Sequence, residues 1–204
     1  FKLTITAIST PANVTCAAAA QMTLTGTPAR AVATGDVHNL MTPDEFPTLN
    51  CTTSSSNVMD GGQVYYKFDA VANTQYKIKL TNHAGYYLNA YLFGSSCVEA
   101  DIATDCSSNG ATGGYYSTVL SGPDSGELLF TAPVTGTYTI GIDGKYDYSW
   151  GYFTLEVEEF ILPTNGVCST PEALAFFNGK AVVSGSTLGL TNEYGTDVDC
   201  TGYT

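Results

Sequence analysis

Residues 63–70 read QVYYKFDA, and every second side chain there is apolar: Val64, Tyr66 and Phe68 alternate with Tyr65, Lys67 and Asp69. A period of two is the pattern of a strand that buries one face. The same pattern returns downstream. QYKIKL (75–80) sets Tyr76, Ile78 and Leu80 against two lysines, TYTIGI (137–142) sets Tyr138, Ile140 and Ile142 against small residues, and FTLEVE (153–158) alternates Phe153, Leu155 and Val157 with Thr154, Glu156 and Glu158. Each is expected to be a strand with one buried face.

Between these stretches lie shorter apolar runs, YYLNAYLF (86–93), STVL (117–120) and GELLFTA (126–132), separated by turn chemistry at Asp60-Gly61-Gly62, Gly122-Pro123-Asp124 and Asp143-Gly144. Only CAAAAQM (16–22) and CSTPEALAFF (168–177) have helical character, for a turn or two. Seven or eight strands without intervening helices predict an all-β fold, a jelly-roll-like antiparallel β-sandwich.

The last of these strands opens a longer pattern. FTLEVEEFILPTNGVC (153–168) repeats the punctuation of FKLTITAISTPANVTC (1–16): Phe1/Phe153, Leu3/Leu155, Pro11/Pro163, Asn13/Asn165 and Cys16/Cys168 match at a constant offset of 152. Farther on, AVATG (31–35) faces AVVSG (181–185), and Cys51 faces Cys200. A fixed period is the mark of a tandem array, and about 150 residues is the size of a whole domain. The expected organisation is the last strand of a preceding repeat in 1–10, one complete repeat in 11–162, and the opening of the next in 163–204. The joint between copies falls on Phe160, Ile161, Leu162 and Pro163, a short apolar segment stiffened by the proline and expected to be buried between consecutive units.

Composition agrees with a turn-rich β domain: 21 glycines among 204 residues, 12 % aromatic and 13 % charged. Nineteen acidic residues against seven basic ones give a net charge of −12, a sign that repels phosphate backbones and anionic lipid. Nucleic acid is therefore not expected as a partner, and no apolar run reaches the length of a spanning helix, so no membrane insertion is expected in this segment. Six cysteines, Cys16, Cys51, Cys97, Cys106, Cys168 and Cys200, lack the Cys-x-x-Cys spacing of a zinc site. They are read as three disulfides. The repeat pairs Cys16 with Cys51 and Cys168 with Cys200, leaving Cys97 to Cys106, and it places the protein in an oxidising space, extracellular or at the cell surface.

The order GGQVYYKFDA, TQYKIKL, YYLNAYLFGSSC, GELLFTAPVTGTYTIGID and GYFTLEVE resembles bacterial pre-peptidase C-terminal domains, in the disulfide-bearing tandem variety of secreted and cell-surface proteins. The resemblance runs from about Cys16 to Glu159, and FTAPVTGTYTIGID (130–143) is its most specific element. It implies a secreted jelly-roll module without catalytic activity, acting in folding, spacing or attachment to insoluble substrates and proteins. One departure concerns cations: the family's Asn-Asp-Asp run after the mid-domain cysteine is replaced here by SSNGATGGYY following Cys106.

No nucleophile elbow, zinc-protease helix or phosphate loop is present, and His38, near Asp44 and Glu45, is the one arrangement suggesting acid-base chemistry. The chain is read as a non-enzyme, with no cofactor. Calcium is the one metal for which oxygens are in view, from Asp101 and Asp105 and from Asp143 and Asp147, two carboxylates at each place where calcium takes six to eight ligands. Tyr115, Tyr116, Tyr146, Tyr148, Trp150 and Tyr152 could present a stacking surface to sugar or protein. Asn13-Val-Thr and Asn50-Cys-Thr match glycosylation acceptors. The function expected is a structural or adhesive repeat of a long extracellular protein, one that assembles with neighbouring repeats or copies into a fibre. The alternative is an accessory module that binds extracellular polysaccharide or protein beside a secreted hydrolase.

Overall fold

The period-two stretches become strands and set the architecture. The computed structural model describes residues 10–37, 40, 45, 46, 49, 61–85, 87–107, 124–144, 151–161, 165, 169, 171–183 and 185. Among them are β1 (Ala20–Gln21), β2 (Arg30–Asp36), β3 (Gln63–Ala70), β4 (Gln75–Gly85), β5 (Leu88–Phe93), α1 (Glu99–Ser107), β6 (Asp124–Thr131), β7 (Gly136–Gly144) and β8 (Gly151–Glu159). Two four-stranded sheets form, in the orders β1-β3-β7-β5 and β2-β8-β4-β6. Every step along the chain crosses from one sheet to the other, which makes the unit a β-sandwich of jelly-roll-like winding. All pairings are antiparallel except the short β1–β3 pair.

The inward faces carry the side chains that the alternation selects. Val64, Tyr66 and Phe68 of β3, Tyr76, Ile78 and Leu80 of β4, Tyr138, Ile140 and Ile142 of β7, and Phe153, Leu155 and Val157 of β8 belong to one core. Each large side chain so buried is worth roughly 1.5–3 kcal/mol. At the sandwich edge Gly35 faces Phe153 across the β2–β8 pair. A Cβ at Gly35 would stand 2.4 Å from the Phe153 ring, so only glycine lets the two strands close over that ring.

One expectation fails on β3. Tyr65, on the face assigned to solvent, is fully buried, as are Tyr91 and Phe93 of the apolar run that forms β5. The outer face of their sheet carries a second core, in which Cys16, Ala19, Phe46, Leu49 and Ile102 cover those aromatic rings. Cover and sheet are bonded at several points. Asn13 and Tyr65 exchange two hydrogen bonds, Asn13 Nδ2 to the Tyr65 carbonyl and Tyr65 N–H to the Asn13 carbonyl, each 2.8 Å. The Glu45 carboxylate accepts the Cys16 N–H at 2.6 Å.

A disulfide closes the cover, and it is not one the repeat predicts. Cys16 is joined to Cys97, 81 residues away, with Cα atoms 5.6 Å apart. This excludes both Cys16–Cys51 and Cys97–Cys106. The physical reason is that Cys16, in a single 3-10 turn (Cys16–Ala18), and Cys97, just past β5, lie over the same sheet face. Sequence symmetry cannot report that convergence. Cys51, Cys168 and Cys200 lie outside the described residues, as does the side chain of Cys106.

The helical expectations are half right. CAAAAQM supplies only the 3-10 turn and β1, and among residues 171–183 of CSTPEALAFF and its continuation no helix is present. The helix that does form, α1, was not expected. It follows Ser96-Cys97-Val98-Glu99, a Ser-x-x-Glu helix-start signature, with Glu99 and Asp101 in its first turn.

The chain divides into two units, 1–160 and 161–204. In the second, Phe177 and Lys180 form an antiparallel bridge around Asn178 (φ 51°) and Gly179 (φ 73°). Positive φ at both central residues is the tight hairpin turn that Asn-Gly favours. Leu174, Phe176, Phe177, Val182 and Val183 of this unit are 50–80 % exposed.

Candidate functional site

Two places on the sandwich gather polar side chains, and they lie at opposite ends of β7. The first is sealed. Gln63, Asp143 and Asn89 are neighbours across β3, β7 and β5 and are at most 2 % exposed, although Asp143-Gly144 reads as turn chemistry in the sequence. Asp143 instead ends a strand, and its Oδ1 accepts the Gly61 N–H at 3.1 Å. The Tyr65 hydroxyl donates to Gln63 Oε1 at 2.5 Å, and Asn89 Nδ2 donates to the Tyr91 hydroxyl at 3.1 Å. This row knits the covered face together and offers no opening to a substrate.

The second place is open. A cavity of 480 Å3 lies between two walls. One wall is the β5–α1 connection and the first turns of α1, with Ser95, Ser96, Asp101 and Thr104; the other is the end of the β6–β7 turn and the start of β7, residues 134–138. Local sequence explains both. The Ser96 hydroxyl accepts the Val98 N–H (3.2 Å) and donates to Asp101 Oδ2 (2.7 Å), which fixes the start of α1 and aims the carboxylate. Across the cavity Thr135 Oγ1 accepts the Ala72 N–H (2.9 Å), Thr137 Oγ1 donates to Asp69 Oδ1 (2.7 Å), and the Tyr138 hydroxyl donates to the Val134 carbonyl (3.1 Å). Each hydroxyl is bonded to the frame. Cys97 anchors the first wall, because its bridge to Cys16 holds the connection against the sheet.

The expected site residues distribute as follows. Asp101 is exposed on α1 and lines this cavity, while Asp143 is buried at the far end of β7, so the two do not cooperate. Asp105 lies on α1 with its side chain outside the described residues, and Asp147 is outside them altogether. Among the described residues no group of three or more His, Cys, Asp or Glu is gathered. The Ser96 hydroxyl bonds to Asp101 and the Gly61 N–H to Asp143, while the second carboxylate expected beside each lies outside the described side chains. Of the aromatic surface, Tyr152 is 48 % exposed on β8; Tyr115, Tyr116, Tyr146, Tyr148 and Trp150 are outside the described residues, as are His38, Asp44 and Asn50. Asn13 is half-buried with its amide nitrogen bonded to Tyr65, which opposes its reading as a glycan acceptor. Phe160 is half-buried and donates its N–H to the Gln75 carbonyl at 2.7 Å, Ile161 is 60 % exposed, and Leu162 and Pro163 are outside the described residues. Ser96, Thr135 and Thr137 were missed. The only signal for them was the Ser-x-x-Glu start of α1.

Among the described residues no helix is long and apolar enough to cross a membrane. No family model matches the sequence, and no curated protein matches it. Solved structures do match. One is a β-(1,4)-mannanase of the GH26-CBM35 type from Podospora anserina, 12 % identical, with 65 % of this chain and 28 % of that chain covered at a TM-score of 0.33. Another is a ruminal GH26 endo-β-1,4-mannanase, 10 % identical, covering 70 % of this chain and 28 % of that one at 0.33. A third is the pre-peptidase C-terminal domain of a collagenase from Bacillus anthracis, 16 % identical, covering 68 % of this chain and 93 % of that chain at a TM-score of 0.39. A pre-peptidase C-terminal domain, the kind of module the residues resemble, thus stands among the solved structures similar to this chain.

Proposed function

We propose that this chain is part of a non-catalytic, extracellular protein built from tandem copies of the sandwich, with residues 11–162 one copy and 163–204 the start of another, and that the copies serve structure or adhesion in a fibre. The observation that carries the reading is a recurring bridge. In the first unit Thr25 pairs with Arg30 around four loop residues; in the second Phe177 pairs with Lys180 around two. The match runs at an offset of 152 through Cys16/Cys168 and of 150 from Ala31/Ala181, so its gap lies between them; placed in this turn, the gap sets Thr25 against Phe177 and Arg30 against Lys180 and corresponds to a loop shorter by two residues. The Cys16–Cys97 bridge supports an oxidising, extracellular location.

The test is the parent gene and its product. Further copies at the same period, and scattering from a several-copy protein that fits a stiff rod, are expected. A single copy beside a protease or glycosidase domain would overturn the reading in favour of an accessory module that binds polysaccharide or protein. That second reading is favoured by one observation, the open cavity beside α1.

A further inference from the structure

We infer that the cavity between α1 and the β6–β7 turn is a binding site for one neutral sugar ring of a polysaccharide, with Asp101 as the anchoring acceptor. This deepens the binding-module reading and is independent of the repeat. The size is right for a small ligand: 480 Å3 falls within the range of roughly 300–1,000 Å3 typical of such clefts.

Its chemistry then selects among ligands. An anion would meet the Asp101 carboxylate on one wall, with the Asp69 carboxylate bonded to Thr137 on the other, in a chain of net charge −12. A metal ion would find Asp101 with hydroxyls where calcium needs six to eight oxygens. A polyol matches what is offered. Ser96 holds Asp101 through Oδ2, which leaves Oδ1 to accept from a ring hydroxyl, and a carboxylate accepts from two adjacent hydroxyls in the way it accepts from a bidentate donor.

The opposite wall supplies the complementary sense. Thr135 Oγ1 already accepts the Ala72 N–H, so its O–H can donate to the ligand; Thr137 donates to Asp69 and so presents lone pairs. Val134, 58 % exposed at the rim, offers an apolar patch for the C–H face of a ring. Because these hydroxyls are held by the frame before any ligand arrives, little ordering cost remains on binding.

The experiment titrates the full chain, isotopically labelled, with D-glucose, D-mannose, D-galactose, mannohexaose and cellohexaose, following amide shifts by NMR. At least one sugar is expected to move residues 94–96 and 134–138 saturably, with a Kd of about 1 mM or tighter. Asp101→Ala should weaken that binding at least tenfold, because a charge-assisted hydrogen bond is lost. Thr135→Val, which leaves Ser96 and α1 untouched, should weaken it about threefold and guards against a folding defect in the first variant. No saturable shifts at about 50 mM of any sugar, shifts confined to other residues, or binding unchanged in both variants overturns the site; so does occupation by calcium chloride or by arginine methyl ester in place of the sugars. None of these results bears on whether the chain is repeated.

Discussion

Gly35 and Gly185 occupy the same place in the sequence match, yet their surroundings differ completely. A Cβ at Gly35 would press into Phe153 and the Tyr66 hydroxyl, at 2.4 and 2.7 Å, whereas a Cβ at Gly185 would meet nothing within 4 Å. The side chains around them follow suit. Met22, 5 % exposed, and Leu174, 152 positions on and 50 % exposed, differ in the same direction, as do the core-packed Leu24 and the 72 % exposed Phe176. Asn13 bonds to Tyr65 in the first unit, while Asn165 bonds to Glu172 at 3.2 Å in the second. The same pattern of residues is present twice, but among the described residues an apolar edge is buried where β3 and β8 lie against it and exposed in the second unit. Local pattern states what a segment needs and leaves open whether the rest of a sheet supplies it.

The largest expected effect breaks the staple. Cys16→Ser with Cys97→Ser should lower the unfolding free energy of the first unit by about 4.5 kcal/mol, the chain-entropy value for a loop of this length. Urea unfolding followed by tyrosine fluorescence measures it. Amide signals of residues 171–183 should not move. Non-reducing peptide mapping of the parent chain is the companion measurement: a Cys16–Cys97 peptide is expected. If Cys168 behaves as the true counterpart of Cys16, it is not linked to Cys200. A Cys16–Cys51 peptide would restore the pairing that symmetry suggests and remove the staple from the comparison.

The two glycines give the sharpest contrast. Gly35→Ala drives a methyl group against the buried Phe153 ring and should cost about 2 kcal/mol. Gly185→Ala should stay within about 0.5 kcal/mol, since the added methyl meets solvent. Thermal unfolding of both variants reads the difference. Equal effects would mean that residues 181–185 already lie under a partner strand.

Much of this was legible in the residues, and the limits are physical. QVYYKFDA became β3 at the boundaries the alternation marks, β4, β7 and β8 follow from the same period, and β5 and β6 fall on the shorter apolar runs, whereas β1, inside the helical-looking CAAAAQM, and β2 were not read as strands. The second core was not legible, because Phe46, Leu49 and Ile102 are single apolar residues in polar stretches and show no period. Cysteine pairing failed for a related reason: which thiols meet depends on the path of chain between them, and repetition carries no information about that path. α1 buries only Ile102 fully among its described residues, so its amphipathic signal is faint; its start signature was the readable part. The open cavity was the least legible of all. Apart from Asp101, Val134 and Tyr138, its walls are ordinary Ser, Thr and Gly from 94–96, 104 and 135–137, which acquire meaning only when residues 134–138 are set beside α1.

The smallest expected effect concerns charge on the outer face of the β2-β8-β4-β6 sheet, where β8 serves its neighbours on both sides. Glu156 pairs with Arg30 of β2, and Glu158 pairs with Lys77 of β4 at 2.9 Å. The hydrogen bond to Glu158 raises the Lys77 ammonium above the usual lysine range, aided by the charges of Glu158, Glu127 and Glu156 and opposed by burial. A folded-state pKa above the unfolded one means that the pair contributes fully below the ordinary lysine value and loses its contribution as pH climbs through the folded value. Both side chains are 23 % exposed, so solvent screens the pair and its worth is about 0.5 kcal/mol. Lys77→Met keeps the apolar stem and removes the charge. It should lower stability by that amount at neutral pH and low salt, and by nothing measurable in about 1 M salt, where the screening length is near 3 Å. Above the folded-state pKa, variant and parent should converge. Lys180, which matches Arg30 in the second unit, is exposed, and Lys180→Met should leave stability unchanged at every pH. A loss on Lys180→Met equal to that on Lys77→Met would show that a strand like β8 already faces the second unit in solution, and the contrast between the two glycines would then have to fall with it.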